Sequence, residues 1–261
     1  MTRTTDGSAG DADDARIGED HRKYRKPEPS FARAITRALG DARTVLNVGA
    51  GAGSYEPTDR DVTAVEPSAS MRAQRPESLS TAIDATAEDL PFADDTFDAA
   101  MTTFSLHRWG DLERGLAEVR RVTRGPIVIL TFDPERVEDY WLAEYAPEVM
   151  ATEARRYPSL ARIAGALGDD VVTSTPLPIP FTCVDGFSEA YYARPERLLD
   201  PGARRANPAW SLVDEITARR SVAALRSALE SGDWDRAHGA LRVRPTYEGS
   251  LVLITAVPRP A

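Results

Sequence analysis

The sequence has few of the features on which several protein classes depend. Cys183 is the only cysteine among 261 residues, so an intrachain disulfide is excluded and a cysteine-based metal site is not expected. No apolar run is as long as a membrane span, and the polar, acidic amino-terminal segment lacks the hydrophobic stretch of a signal peptide. We therefore expect a cytoplasmic protein that has no partner membrane.

Positive charge is also scarce. The chain has 32 lysines and arginines against 41 acidic residues, and its formal net charge is -9. Such a protein gains no free energy from displacing the counterions of a polyanion, so nucleic acid is a poor candidate partner. The three histidines are scattered and have no paired acids near them, which predicts no metal site. A small molecule is the expected substrate, and the oligomeric state stays open.

Short apolar strands alternate with helical patterns in the first half of the chain. Apolar residues recur at helical spacing from Phe31 to Leu39 and again from Leu112 to Val122. Strand-like runs are found at 44–48, 62–65, 97–102 and 127–132, with a weak one beginning at 82–83. This alternation predicts an α/β fold in which helices cover both faces of a parallel sheet.

The composition divides the chain into four segments. Residues 1–20 are polar and acidic without apolar periodicity, which predicts a disordered tail. Residues 21–134 hold the alternating core, and residues 135–210 form an insertion rich in aromatics and prolines. We expect this insertion to be mainly helical, with strand-like pieces at 170–173 and 179–184. Residues 211–261 then return to the core as a helix followed by a final strand pair, 241–247 with 250–257.

The insertion is the expected source of substrate selectivity. Its aromatic side chains have two interpretations: they line the site of an apolar or ring-bearing acceptor, or they form the insertion's own core. The residues concerned are Trp141, Tyr145, Tyr191 and Tyr192. Cys183 lies near no group that would lower its pKa, so we expect it to be buried packing.

A glycine-rich turn, Asn47-Val48-Gly49-Ala50-Gly51-Ala52-Gly53, directly follows the first strand. Glycine permits a tight turn and lets a ligand approach the bare backbone. A nicotinamide-dinucleotide fingerprint requires a further glycine where this chain has Ser54, so the dehydrogenase pattern fails. Glu66 ends the second strand, where a carboxylate can accept hydrogen bonds from a ribose diol.

Four motifs in a fixed order carry a family resemblance. They are Asn47-Val48-Gly49-Ala50-Gly51, Val65-Glu66-Pro67-Ser68, Ala87-Glu88-Asp89-Leu90-Pro91-Phe92, and Phe97-Asp98-Ala99-Ala100 with Leu106-His107. Together they resemble the class I S-adenosylmethionine-dependent methyltransferases, in the branch that includes ubiquinone- and menaquinone-type and many small-molecule enzymes. The resemblance spans about residues 24–133. It implies an α/β, Rossmann-like parallel sheet, extended here by an antiparallel C-terminal strand pair and a mainly helical cap insertion.

The resemblance also implies a cofactor site for S-adenosylmethionine. Backbone atoms of Gly49, Ala50 and Gly51 would contact its methionine part, and Glu66 would bind its ribose hydroxyls. Asn47 stands where the family usually has Asp. The asparagine keeps a hydrogen-bond acceptor but lacks the negative charge that an aspartate would place near the cofactor.

Other positions would complete the cofactor site by the same resemblance. Pro67 and Met71 would pack beside the adenine, and Ala87 would offer its backbone N–H to that ring with Glu88 nearby. Thr103 and Phe104 would line the far side of the cofactor. Tyr24 and Arg25 would reach its carboxylate; the alternative for this basic segment is a solvated stretch before the first helix.

His107 is the one candidate general base, because a histidine titrates near neutral pH and this one follows the fourth predicted strand. The alternative is that His107 shapes the cofactor pocket or caps the next helix. Asp133 has two interpretations as well, since a strand-end acid either faces the substrate or caps a helix.

The implied reaction is methyl transfer to an O, N or C nucleophile of a small molecule. One alternative is non-methylating catalysis, such as a cyclisation or isomerisation that uses the cofactor's charge; another is a non-catalytic protein that binds the cofactor. An RNA or protein methyltransferase is a further alternative. The acidic charge disfavours RNA, and Thr102-Thr103-Phe104-Ser105 lacks the Asn-Pro-Pro-Tyr type motif of base N-methyltransferases.

Overall fold

The computed structural model describes residues 23–259, so the predicted tail at residues 1–20 lies outside the described residues. The described chain divides into two units. The sheet unit comprises residues 29–132, 158–175 and 252–259, and the helical unit comprises residues 23–28, 133–157 and 176–251. The four predicted domain boundaries stay a prediction.

The strands are β1 (Thr44–Val48), β2 (Asp61–Val65), β3 (Ala99–Thr103), β4 (Ile127–Phe132), β5 (Asp170–Pro176), β6 (Ile179–Pro180), β7 (Thr246–Tyr247) and β8 (Leu251–Pro258). Six of them form one sheet in the order β2-β1-β3-β4-β8-β5. β1 pairs in parallel with β2 and β3, and β3 pairs in parallel with β4. The predicted Rossmann-like α/β fold is therefore confirmed.

The α-helices are α1 (Pro29–Leu39), α2 (Ala69–Arg72), α3 (Leu112–Val122), α4 (Pro134–Val137), α5 (Pro147–Arg156), α6 (Leu160–Ala166), α7 (Pro201–Arg205), α8 (Ala209–Leu212), α9 (Glu215–Glu230) and α10 (Asp233–His238). Short 3-10 helices cover Leu106–Arg108, Trp141–Glu144, Ser188–Tyr191, Pro195–Leu199 and Gly239–Val243. Within residues 23–259 none of the helices combines the length and the apolar character needed to cross a membrane.

The central strands and two helices build the core of the sheet unit. All residues of β4 are buried, which its run of apolar side chains suits because helices cover both faces of such a strand. The apolar stripe of α1 buries Phe31 and Ile35, and that of α3 buries Leu116 and Val119. Asp111 begins α3 by accepting a hydrogen bond from the backbone N–H of Arg114 at 3.0 Å.

Two predicted strands in the first half differ in extent. The weak strand at 82–83 is a single parallel bridge between Ile83 and Val65, because only two apolar residues stand there between polar neighbours. Ile83 still extends the hydrogen-bonding pattern, since its N–H donates to the Ala64 carbonyl at 2.8 Å. The strand predicted at 97–102 begins two residues later, and Phe97 makes an isolated bridge to Thr123 instead.

The later strands are arranged differently from the prediction. An antiparallel pair is present, but it joins β7 to β6, whereas β8 enters the main sheet between β4 and β5. The prediction that residues 250–257 pair with 241–247 is thus wrong. The strand-like piece predicted at 170–173 belongs to β5, which lies at the edge of the main sheet. The run Leu251-Val252-Leu253-Ile254 is buried throughout, which suits an interior strand, whereas β7 has only two residues.

Aromatic side chains form the interior of the helical unit. Trp141 packs against Tyr140, Tyr145 and Trp234, with ring centroids 4.9, 6.1 and 5.3 Å away. Helix α9 also lies in this unit, although the prediction grouped residues 211–261 with the core.

Candidate functional site

The glycine-rich turn begins at the carboxyl end of β1 and depends on glycine at two positions. Gly49 and Gly51 have φ angles of 67° and 52°, a region that L side chains rarely adopt. A Cβ on Gly49 would also lie 2.5 Å from the Ser105 Oγ, which leaves no room for any side chain. The Ala50 N–H donates to the Val65 carbonyl at 2.9 Å and so fixes the turn against β2. The turn therefore presents bare backbone at the edge of the sheet.

Glu66 lies beside this turn at the end of β2 and is only 7% exposed. Its Oε2 accepts the Gly51 N–H at 2.8 Å, and its Oε1 accepts the Ser68 N–H at 2.8 Å. Arg72 donates to the Glu66 carbonyl at 2.8 Å, which fixes the backbone at the same residue. Each carboxylate oxygen keeps a second lone pair, so the group can also accept hydrogen bonds from a diol.

Asn47 is 1% exposed and donates from Nδ2 to the Glu56 Oε1 at 2.9 Å. Its Oδ1 is buried and has no hydrogen-bond partner among the described residues, an arrangement that fits a ligand with a donor group. The negative charge that Asn47 lacks is present on Glu56, which forms an ion pair with Arg75 at 2.9 Å. The sequence reasoning missed both charged residues, because nothing in their spacing indicates that they meet.

The predicted adenine side has mixed surroundings. Met71 approaches the turn, since a Cβ on Gly51 would lie 3.2 Å from the Met71 Cε, whereas Pro67 is exposed. Ala87 is buried. Glu88 has a structural task, because its Oε1 accepts the N–H groups of Gly110 and Asp111 at 2.7 and 3.0 Å, just before α3 begins.

Phe104 follows β3 with a φ of 51°, a strained conformation for a bulky residue. Its ring stacks on Phe132 with centroids 5.1 Å apart and meets the edge of Tyr55 at 6.2 Å. The Phe104 N–H donates to the Leu130 carbonyl at 2.8 Å, which holds the backbone in place. Thr103, the last residue of β3, is half-buried beside it. Strained backbone of this kind is common at binding sites, where the surrounding packing maintains it.

His107 lies in the 3-10 helix Leu106–Arg108 and is 7% exposed. It does not cap the following helix, because Asp111 does so; its role as a base stays a prediction. Ser105, which the sequence reasoning missed, is buried between the ends of β1 and β3 and donates from Oγ to the Val48 carbonyl at 3.2 Å. A serine carries no local signal for such a contact.

The other predicted site residues lie in the helical unit. The Tyr24 hydroxyl donates to the Asp200 Oδ2 at 2.6 Å, a bond that raises the pKa of Tyr24. Arg25 forms an ion pair with the buried Asp185. Both side chains thus have partners within their own unit, and their contact with a cofactor stays a prediction. Asp133 caps α4 by accepting the Glu135 N–H at 3.1 Å, in line with its structural interpretation.

The aromatic residues of the insertion fit the structural alternative. The Trp141 Nε1 donates to the Tyr192 carbonyl at 3.0 Å, and Tyr191 and Tyr192 are buried. Cys183 is buried as well, and this burial raises the pKa of its thiol to about 12, so it is a poor nucleophile.

Glu189 is a buried carboxyl in the helical unit that the sequence reasoning missed. Both of its oxygens accept the Ser250 N–H, at 3.1 and 3.0 Å. Burial raises the pKa of Glu189 to about 7 despite these bonds. The side chain also abuts Gly249, where a Cβ would lie 2.3 Å from the Glu189 Oε2. Because a raised carboxyl pKa couples folding to proton binding, we expect the stability of the helical unit to depend on pH.

Comparison with protein families matches the part of the chain that contains the glycine-rich turn and Glu66. Residues 46–126 match the family model described as a methyltransferase domain. The chain is 37% identical over 114 residues to a demethylmenaquinone methyltransferase of Renibacterium salmoninarum, which covers 39% of this chain and 47% of that protein. It is 31% identical over 105 residues to the uncharacterized protein YafE of Escherichia coli, covering 37% of this chain and 50% of that one. The chain thus spans about half the length of the curated relatives it matches.

Solved structures that resemble the chain over most of its length include a proposed methyltransferase from an antibiotic biosynthesis pathway of Anabaena variabilis. The two share 26% identity and superpose with a TM-score of 0.82 over 90% of this chain and 99% of the other.

Proposed function

Because this chain carries a class I S-adenosylmethionine-dependent methyltransferase domain, we propose that it transfers a methyl group from S-adenosylmethionine to a small molecule. The acceptor atom is an oxygen, nitrogen or carbon nucleophile. The similarity to the Anabaena protein, which is described as belonging to an antibiotic biosynthesis pathway, supports a small-molecule acceptor. The net charge of -9 supports the same choice over nucleic acid.

The observation that carries the proposal is the junction of the glycine turn with Glu66. The Glu66 carboxylate is 7% exposed and accepts the Gly51 N–H at 2.8 Å. A group that can accept hydrogen bonds from a diol therefore lies next to bare backbone. This junction stands at the carboxyl ends of β1 and β2, where open parallel sheets bind their ligands. A nucleoside with a charged amino-acid tail needs both features together.

We place the cofactor's contacts accordingly. Glu66 would bind the ribose hydroxyls, and the backbone at Gly49, Ala50 and Gly51 would bind the methionine part. The Asn47 Oδ1 fits a donor group of that part, since this buried acceptor has no partner among the described residues. The remaining lining would come from the positions that the family resemblance implies: Pro67 and Met71 near the adenine with Ala87 and Glu88, and Thr103 and Phe104 on the far side.

S-adenosylmethionine supplies an electrophilic methyl group on a sulfonium that is a good leaving group. The chain's own residues then mainly orient the reactants and exclude water. Phe104 places an aromatic side chain after the end of β3, where its ring stacks on the buried Phe132, and this apolar packing suits the exclusion of water. His107 would accept a proton only if the nucleophile is protonated at the working pH, as a hydroxyl is.

The test is calorimetric titration of the purified protein with S-adenosylmethionine, S-adenosylhomocysteine and NADH. We expect binding of the first two and none of the third, and at least about tenfold weaker binding after Glu66→Ala, because a buried charge-assisted bond is lost. The exposed Glu77→Ala is a matched control from the same unit and should bind like the wild type. Unchanged affinity of Glu66→Ala would contradict the placement of the ribose.

Turnover then separates methyl transfer from its alternatives. A screen of small acceptors that yields S-adenosylhomocysteine and a methylated product supports methyl transfer. A product formed without S-adenosylhomocysteine would indicate a cyclisation or isomerisation instead. Cofactor binding without any product across the screen would favour a binding protein.

A further inference from the structure

We infer that Glu56 and Arg75 are positioning residues that hold the glycine turn in its cofactor-binding shape. The inference rests on the proposed function, because it concerns the same cofactor site. Neither residue belongs to the motifs that predict that site.

The two side chains form a buried, bidentate ion pair. The Glu56 side chain is only 1% exposed and the Arg75 side chain only 4%. The Arg75 Nη1 donates to the Glu56 Oε1 at 2.9 Å, and Nη2 donates to Oε2 at 2.9 Å. Two parallel bonds fix the plane of the guanidinium as well as its position.

The Arg75 guanidinium also reaches the turn. Its Nη1 lies 3.4 Å from the Gly51 carbonyl oxygen, and Nε and Nη2 donate to the Ser80 carbonyl at 3.0 and 2.9 Å. A Cβ on Gly53 would lie 3.2 Å from the Arg75 Nη1, so the chain passes closely over the guanidinium there. The Glu56 carboxylate completes the connection by accepting the Asn47 Nδ2 at 2.9 Å. The pair thus links the end of β1, the turn and the segment after α2.

This linkage bears directly on the ribose-binding carboxylate. Gly51 contacts Arg75 through its carbonyl and Glu66 through its N–H, at 3.4 and 2.8 Å. A shift of Gly51 would therefore move the group that orients the Glu66 carboxylate. Glycine turns have many accessible conformations, so an external contact is needed to hold a single one.

Stability alone gives a poor account of the pair. Desolvation offsets most of the attraction within a buried ion pair, and well-packed apolar residues are often as stable. Apolar side chains would not reproduce the geometry at the turn, because they have no hydrogen-bond donors for the Gly51 and Ser80 carbonyls. We therefore expect cofactor affinity and stability to respond differently to substitution.

The experiment measures the S-adenosylmethionine dissociation constant by calorimetry and the thermal midpoint for four variants. Glu56→Gln and Arg75→Lys each break the bidentate pair, and we expect about tenfold weaker binding from each. The double variant Glu56→Gln/Arg75→Met removes both charges, and we expect its thermal midpoint to recover while its affinity stays weak. In turnover, KM for the cofactor should rise with little change in kcat at saturating cofactor.

The control variant breaks a different, partly buried ion pair in the same unit. Arg120 and Asp170 lie 2.7 Å apart, and the Asp170 side chain is 5% exposed. Asp170→Asn should lower the thermal midpoint and leave cofactor affinity unchanged. If it weakens binding as much as Glu56→Gln does, the loss reflects general destabilisation and the inference is overturned.

The remaining outcomes are distinct as well. If the wild type does not bind S-adenosylmethionine, the proposed function itself fails. If the wild type binds and the folded Glu56 and Arg75 variants bind equally well, only the positioning role is overturned. Should Glu56→Gln fail to fold, Arg75→Lys decides, because it retains the positive charge beside Glu56.

Discussion

Asn47→Asp introduces the residue that the family usually has at this position, and we expect it to lower both the stability and the cofactor affinity of this protein. The Asn47 Nδ2 lies 2.9 Å from the Glu56 Oε1, and both side chains are buried. An aspartate would place a second carboxylate against Glu56 and remove the hydrogen bond. Two like charges about 4 Å apart repel by about 4 kcal/mol at an effective dielectric constant near 20, and Arg75 offsets part of this.

We expect a net loss of about 2–4 kcal/mol in the free energy of unfolding at pH 7 to 8. Urea denaturation across a pH series measures it. The loss should shrink on acidification, because protonation of one carboxyl in the new pair relieves the repulsion. Calorimetry should also show weaker S-adenosylmethionine binding, since the turn next to Asn47 is disturbed.

The decisive comparison is Asn47→Asp/Glu56→Gln. This double variant moves the negative charge to position 47 and provides an amide at position 56 that can donate to it. We expect it to be more stable than the sum of the two single substitutions predicts, which a double-mutant cycle would show as a favourable coupling, although the broken pair with Arg75 keeps it below the wild type. If Asn47→Asp alone is as stable as the wild type above pH 7, the contact with Glu56 does not have the electrostatic importance we give it.

Three further variants test other parts of the structure. Gly49→Ala should lower the free energy of unfolding by about 2–4 kcal/mol, because the alanine would combine a positive φ with a clash against Ser105. Gly40 has a φ of 58° but open space around it, so the control Gly40→Ala should lower the same free energy by only about 1 kcal/mol in the same denaturation assay. Asp98 accepts backbone N–H groups at the start of β1 and pairs with Arg124, which holds its pKa below the usual range, so its stabilisation is present above about pH 4 and is lost on acidification. Asp98→Asn should therefore lower the free energy of unfolding by about 1–2 kcal/mol at pH 7. This cost should begin to fall below about pH 4 and should vanish only below the lowered pKa of Asp98, so a cost that stays constant on acidification to about pH 2 would contradict this. Glu189 has its pKa raised to about 7, so the folded state holds a proton that the unfolded state loses above about pH 4.5, and stability falls as pH rises between these values. Glu189→Gln should flatten that slope of up to about 1.4 kcal/mol per pH unit in urea titrations from pH 5 to 8, whereas an unchanged slope would place the titration elsewhere.

Local patterns in the sequence were sufficient to predict the glycine-rich turn and the position of Glu66 at the end of a strand. The run Thr44–Val48 is apolar up to Asn47 and is followed by glycines, and each feature acts within a few residues: a buried strand, then a turn with positive φ. Glu66 follows a second short strand in the same way. Neighbouring parallel strands end at the same edge of a sheet, so the glycine-rich turn and Glu66 had to lie close together once both strands were placed correctly.

Only the tertiary structure decided which distant residues support that site. Arg75 lies after α2, with nothing in its neighbourhood to indicate Glu56, and Ser105 fits below Gly49 through the packing of β3 against β1. The placement of β8 between β4 and β5 was likewise undetermined, because an apolar strand fits an antiparallel hairpin and an interior position equally well until its neighbours are known. Sequence periodicity reports which face of an element is buried, but the partner that buries it is chosen by the whole chain.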